Sequence, residues 1–193
     1  STTMHEHWQP PHTYEKAPAC ITTVVPGSEQ FALLKQDMGI SDRYEATLTE
    51  LAMQGKAVVF AAVADGRYVG RVTLRHDWTE RPEIDEPSVR IEDEYPDLPQ
   101  INALEVAEQY RGHGIASQLL AAAEDEACRQ GFDRVGLAVD VTNKMAMGIY
   151  EKRGYMYRLV AGKPTFTSVY HRIDGTDEAG EYYLMTKQVR GKG

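Results

Sequence analysis

At 193 residues, with 21 basic against 29 acidic side chains and a formal net charge of −8, the chain can bury one proper core and does not require a second domain. No segment reaches the unbroken apolar length of a membrane span, and the N-terminus lacks the basic-then-apolar layout of a signal peptide. A cytoplasmic protein without a membrane partner is expected.

Residues 1–19 are polar, carry Pro10, Pro11 and Pro18, and read as an arm before a domain over 20–193. His5, His7 and His12 fall in that arm, where no second shell would orient them, so no metal site is expected. Cys20 and Cys128 lie far apart without Cys-x-x-Cys spacing and read as structural thiols. The first strand is expected at Ile21 to Val25. Gly27-Ser28 then opens helical territory: Phe31, Leu33, Leu34 and Met38, and later Tyr44, Leu48 and Leu51, recur at three- and four-residue intervals. Two helices broken near Gly39 are predicted. Lys56 to Ala64 is a strand-like run that meets Val69 to Leu74 across Asp65-Gly66, a hairpin signal.

Between Asp77 and Asp97 stand nine carboxylates, two arginines and three prolines, so this stretch alone carries −7 of the net charge. It reads as a solvated loop, or as a negative field that draws in a cationic substrate and repels nucleic acid.

The most informative stretch follows. An apolar strand-like run, Ile101 to Val106, leads to Arg111-Gly112-His113-Gly114-Ile115-Ala116, which opens a helix running to Gln130. A strand feeding a glycine turn into a helix aims unpaired backbone N–H groups and the positive end of the helix dipole at one point. An anion should sit there, and the two glycines, with small Ala116 and Ser117, let the backbone approach it. The turn lacks the Gly-Lys-Ser/Thr of a nucleotide-triphosphate loop and, with Ser117 where a third glycine would stand, the dinucleotide fingerprint. After Gly131 come a strand, Val135 to Val139, Asn143 as a helix N-cap, a helix from Lys144 to Arg153 and Gly154 as its stop. The last strand is expected at Glu181 to Val189, after a turn at Asp174-Gly175.

What remains is an Arg/Gln-x-x-Gly-x-Gly/Ala pattern. With Leu104-Glu105-Val106 and Tyr110 before it, this resembles the pyrophosphate loop of the GNAT superfamily of acyl-CoA-dependent N-acyltransferases. Asn143, Ala146, Tyr150 and Gly154-Tyr155 are similar, at the same spacing, to the second signature of that superfamily. The resemblance implies an α/β fold: one domain with a mixed, mostly antiparallel twisted sheet flanked by helices. It also implies acetyl-CoA as acyl donor, no metal, and a small-molecule amine as acceptor.

Residue by residue, the resemblance places the backbone of Leu104 and Val106 against the pantetheine arm and the N–H groups of Gly112, His113, Gly114, Ile115, Ala116 and Ser117 around the pyrophosphate. Arg111 either adds charge there or fixes the loop, and His113 is the loop position that points to solvent. Asn143 caps its helix and contacts the cofactor. Tyr150 matches the general acid for the leaving thiolate, a phenol with a reference pKa of about 10. Lys152 and Arg153 either meet the nucleotide 3′-phosphate or answer the helix dipole.

No such match supplies the base. Relatives that acetylate protein N-termini often carry a glutamate where this chain has Ala138. Glu105 is the best substitute by location, ahead of Asp140, His76 and Asp77, and a chain of waters would serve as well. Two other readings stay open: a protein or peptide N-terminal acetyltransferase, and a non-catalytic acyl-CoA-binding sensor. A homodimer through an exposed last strand is also open.

Overall fold

The computed structural model describes residues 18–80, 82, 90–171 and 177–191. The first seventeen residues of the arm, residues 81 and 83–89 of the acidic stretch and the Asp174-Gly175 turn lie outside the described residues. Strand β1 is Cys20–Thr23, helix α1 Glu29–Met38 and helix α2 Asp42–Met53. Each helix starts on a serine cap: Ser28 Oγ accepts from the Phe31 N–H and Ser41 Oγ from the Tyr44 N–H, both at 3.1 Å. Gly39, at φ 71°, ends α1 with its N–H on the Lys35 carbonyl. Strands β2 (Ala57–Ala64) and β3 (Arg67–Arg75) form the expected hairpin, turning through Asp65 and Gly66, both at positive φ.

A short helix α3 (Ile91–Glu94) lies within the acidic stretch, followed by β4 (Gln100–Val106), a 3-10 turn (Glu108–Tyr110) and α4 (Ile115–Arg129). Then come β5 (Arg134–Asp140), α5 (Lys144–Lys152), β6 (Met156–Arg158), β7 (Phe166–His171) and β8 (Asp177–Gln188). Strands β6 and β7 occupy what the sequence read as a connection, and β8 starts four residues before the expected Glu181.

The described strands make one sheet, ordered β1-β2-β3-β4-β5-β8-β6, with β7 paired to the remaining length of β8. Every pairing is antiparallel except β4 with β5. Strand β8 has twelve residues, long enough to be flanked by β5 on one side and by β6 and β7 on the other. Among the described residues the last strand is therefore interior and offers no exposed edge for the homodimer that the sequence left open.

One sheet face packs under α4, where Ile115, Leu119, Leu120 and Ala123 meet Val72, Leu74 and Ile101. Helix α4 lies so close that a Cβ on Gly70 would come within 3.0 Å of Leu119 Cδ1. The opposite face carries two separate apolar layers: α1 and α2 over β2 and β3, and Trp78, Ile91 and Leu98 over β5 and β8. Buried polar residues of β3 and β4, Thr73, Arg75 and Gln100, fill the seam between them.

Candidate active site

Strands β4 and β5 share one ladder pair, Gln100 opposite Gly136. Beyond it, the β5-facing edge of β4 has no ladder partner among the described residues. On its other edge β4 carries a bulge: Asn102 stands opposite Thr73 and Glu105 opposite Arg71, so Ala103 and Leu104 together face Val72. Ala103 takes the left-handed conformation at φ 56° to make it. Bulge and missing partner together leave main-chain groups of Leu104 to Val106 unpaired at the end of the strand, ready to bond an extended ligand.

The glycine loop is tied down on both sides. Tyr110 donates its hydroxyl to Asp65 Oδ2 at 2.5 Å, anchoring the loop to the β2–β3 turn, and Arg111 Nε donates to the Val106 carbonyl at 3.1 Å. Arg111 thus fixes the loop to the end of β4. Gly112 and Gly114 sit at φ 81° and 79°, a conformation that costs an L side chain about 1–2 kcal/mol. The first intrahelical bond of α4 runs from the Gln118 N–H to the Gly114 carbonyl. Among the described residues, no acceptor pairs with the backbone N–H groups of Gly112 or of Gly114 through Ser117. These orphan donors at the positive end of a fifteen-residue helix suit a diphosphate.

A cleft of about 510 Å³ runs from this loop to α5. Its walls are Leu104 to Val106, the loop and first turn of α4 without His113, and the face of α5 from Asn143 to Tyr150. Hence Leu104, Glu105, Val106, Arg111, Gly112, Gly114, Ile115, Ala116, Ser117, Asn143 and Tyr150 all border one space, whereas His113 is exposed outside it. Asn143 Oδ1 caps α5 by accepting from the Ala146 N–H at 3.1 Å. Met145 and Ile149 also line the cleft; they follow from the helical spacing of Asn143, Ala146 and Tyr150, though no chemical signature marks them.

Tyr150 is buried, its ring 5.7 Å from that of Tyr155, and burial pushes its hydroxyl up to about 12. Among the described residues nothing hydrogen-bonds to that hydroxyl. The phenol is therefore a proton donor held neutral at the wall of the cleft.

The remaining candidates separate. Glu105 faces away from α4, half exposed, with its Oε2 accepting from Arg71 Nε and Nη2 at 3.3 and 3.2 Å. Asp140 is occupied in a turn, its Oδ1 accepting from the Thr142 N–H and hydroxyl. His76 and Asp77 follow the end of β3 that pairs with the start of β4, the opposite end from the cleft. There His76 bonds Gln130 and Asp77 bonds Arg75. Ala138 packs in the Trp78 layer.

Lys152 is exposed, but Arg153 is turned inward onto Glu124 of α4, at 2.6 Å. Tyr155 and Lys187 bond the same carboxylate at 2.7 and 2.9 Å. Burial raises the Glu124 carboxyl, yet the bonds from Arg153, Lys187 and Tyr155 outweigh it and leave it below the usual range. Arg153 is thus part of a buried ion network beneath α5. Among the described residues, no group of three or more His, Cys, Asp or Glu could hold a metal, and no helix is long and apolar enough to cross a membrane.

Residues 28–155 match the Acetyltransferase (GNAT) family. The chain is 26% identical over 141 residues to N-alpha-acetyltransferase 30 of Schizosaccharomyces pombe, covering 70% of this chain and 84% of that one. It is 39% identical over 56 residues to N-alpha-acetyltransferase 30 of Saccharomyces cerevisiae, a stretch covering 29% of this chain and 32% of the length of that relative. An acetyltransferase of Salmonella typhimurium solved with its cofactor acetyl-CoA superposes with a TM-score of 0.62 at 14% identity, over 91% of this chain and 96% of that one, a likeness of fold.

Proposed function

The chain belongs to the acetyltransferase (GNAT) family, and from that premise we propose that it moves the acetyl group of acetyl-CoA to a cationic amine by direct attack in a ternary complex. One observation carries the reading: orphan amides and a neutral, unbonded phenol border the same cleft.

The loop N–H groups from Gly112 to Ser117 hold the diphosphate, and the open edge of β4 pairs with the pantetheine arm. Asn143 borders the same ligand. Glu105, directly or through a water, takes the proton that the ammonium must lose. The freed nitrogen attacks the thioester carbon, and a main-chain N–H of β4 stabilises the resulting oxyanion. The tetrahedral intermediate then collapses: the C–S bond breaks, Tyr150 passes its proton to the sulfur, and the second proton leaving the nitrogen restores the phenol through water. The products are the N-acetyl amide and the free thiol.

The acidic stretch supports a cationic acceptor. Pro82 pairs with Ser168 of β7, level with Gly180 and past the rung where Tyr182 meets Asp140, so at this residue the stretch stands at the same end of the sheet as the cleft. A second reading, acetylation of protein N-termini, is favoured by the likeness to N-alpha-acetyltransferase 30 over most of the Schizosaccharomyces pombe chain. The test is thiol release from acetyl-CoA across a panel of amines, with the mass of each acceptor measured. A gain of one acetyl group on an amine supports the proposal; binding of acetyl-CoA without turnover on any amine would leave a sensor module.

A further inference from the structure

Behind the open edge of β4, on the face away from α4, four side chains form a connected group. Arg71 gives both its bonds to one oxygen of Glu105, Oε2, and its guanidinium lies 5.5 Å from the centre of the Tyr44 ring. Tyr44 donates its hydroxyl to Asn102 Oδ1 at 2.7 Å. Glu105 Oε1 accepts no hydrogen bond among the described residues, and the Glu105 side chain is 53% exposed against 12% for Arg71. One half of the carboxylate is clamped and the other half is presented to solvent.

Asn102 and Glu105 stand opposite Thr73 and Arg71, two residues apart on β3, hence on one face and roughly 7 Å apart along the strand. With its carbonyl held by Tyr44, the Asn102 amide has its N–H donors left over. An anionic acceptor and a neutral donor therefore stand on one face of β4, and Glu105 also borders the cleft. A plain alkyl amine would use only the first of them. An amine with a carbonyl on the neighbouring carbon would use both, its ammonium on Glu105 Oε1 and its oxygen on Asn102.

We propose that Glu105 and Asn102, oriented by Arg71 and Tyr44, select acceptors whose reacting amine lies α to a carbonyl: the N-terminus of a peptide, or a free amino acid. This rests on the acetyl-transfer reading above. A site built to hydrogen-bond a polar group discriminates against analogues that lack it, because its own donor is then left unpaired.

The test compares glycine, glycinamide and a glycine-headed tripeptide with ethylamine and putrescine as acceptors. Acetyl-CoA affinity is measured separately by calorimetry. Either glycine or the two carbonyl-bearing amides should exceed ethylamine in kcat/KM by about tenfold or more, and which of them does so tells a free carboxylate from a peptide carbonyl. Asn102→Ala should narrow that gap through KM. Tyr44→Phe, which keeps the ring over Arg71 and removes only the hydroxyl, should narrow it in part. Ethylamine or putrescine turned over as well as both glycine and glycinamide would overturn this proposal and leave the transferase standing. Acetyl-CoA binding with no turnover on any acceptor would overturn both.

Discussion

Gln100 and Gly136 are the pair through which β4 and β5 meet, and the space over Gly136 is already taken. A Cβ there would lie 2.9 Å from both Leu98 Cδ2 and Trp78 Cζ2. The Trp78 ring cannot move aside freely, because its indole N–H is fixed on the Leu98 carbonyl at 2.9 Å. The start of the parting between β4 and β5 is thus wedged from one face by two large side chains.

Gly136→Ala should therefore overpack this junction and cost about 1–3 kcal/mol, read as a lower midpoint in urea. An unchanged midpoint would show that the wedge yields.

In the loop, Gly114→Ala asks a side-chain-bearing residue to hold φ 79° at the first turn of α4. The strain of about 1–2 kcal/mol should weaken acetyl-CoA binding by about tenfold, while α4 still forms. Calorimetry with acetyl-CoA, alongside circular dichroism, checks both halves.

Tyr150→Phe should lower kcat by about 10²- to 10⁴-fold and leave the acetyl-CoA dissociation constant nearly unaltered. The hydroxyl is pushed up to about 12 by burial, so it stays protonated throughout the working range. The pH profile of the unsubstituted enzyme should then rise with amine and base deprotonation and show no descending limb up to about pH 10. A falling limb near pH 9 that vanishes in the variant would place the phenol's ionisation far lower.

Glu124 joins α4 to Arg153, Tyr155 and Lys187, and Tyr155 in turn packs on Tyr150. Its carboxyl is held low, so its contribution to stability is present above the unfolded value of about 4.3 and fades as pH falls through the folded value. Glu124→Gln should cost about 2–3 kcal/mol at pH 7, less than the loss of a wholly buried pair because Arg153 and Lys187 are partly exposed. The difference from the unsubstituted protein should shrink in acid. Equal urea midpoints at pH 7 would contradict the network.

Much of the frame was legible because single residues announce it. Asp65-Gly66 can hardly do other than turn a hairpin, and Ser28, Gly39 and Asn143 mark helix ends by their own chemistry. Other features needed the third dimension. Strands β6 and β7 are short and are held mainly by the unusual length of β8, which no local pattern reveals. Arg153 read only as a partner of a nucleotide phosphate or of its own helix dipole, because Glu124 lies 29 residues away on another helix. The pairing of Glu105 with Arg71 depends on a register shifted by the bulge at Ala103, an alanine in a conformation that sequence does not advertise. His76 and Asp77 were reasonable bases by type, and strand direction alone puts them at the wrong end of the sheet.

The central claim is that the main chain from Gly112 to Ser117 grips the diphosphate of acetyl-CoA. A titration of the isotopically labelled protein with acetyl-CoA, followed by backbone amide resonances, tests it directly. Saturable shifts centred on residues 112–117, with smaller ones along Leu104 to Val106 and at Asn143, are the expected result. Binding that leaves those loop amides unmoved, or no binding at all, would contradict the account.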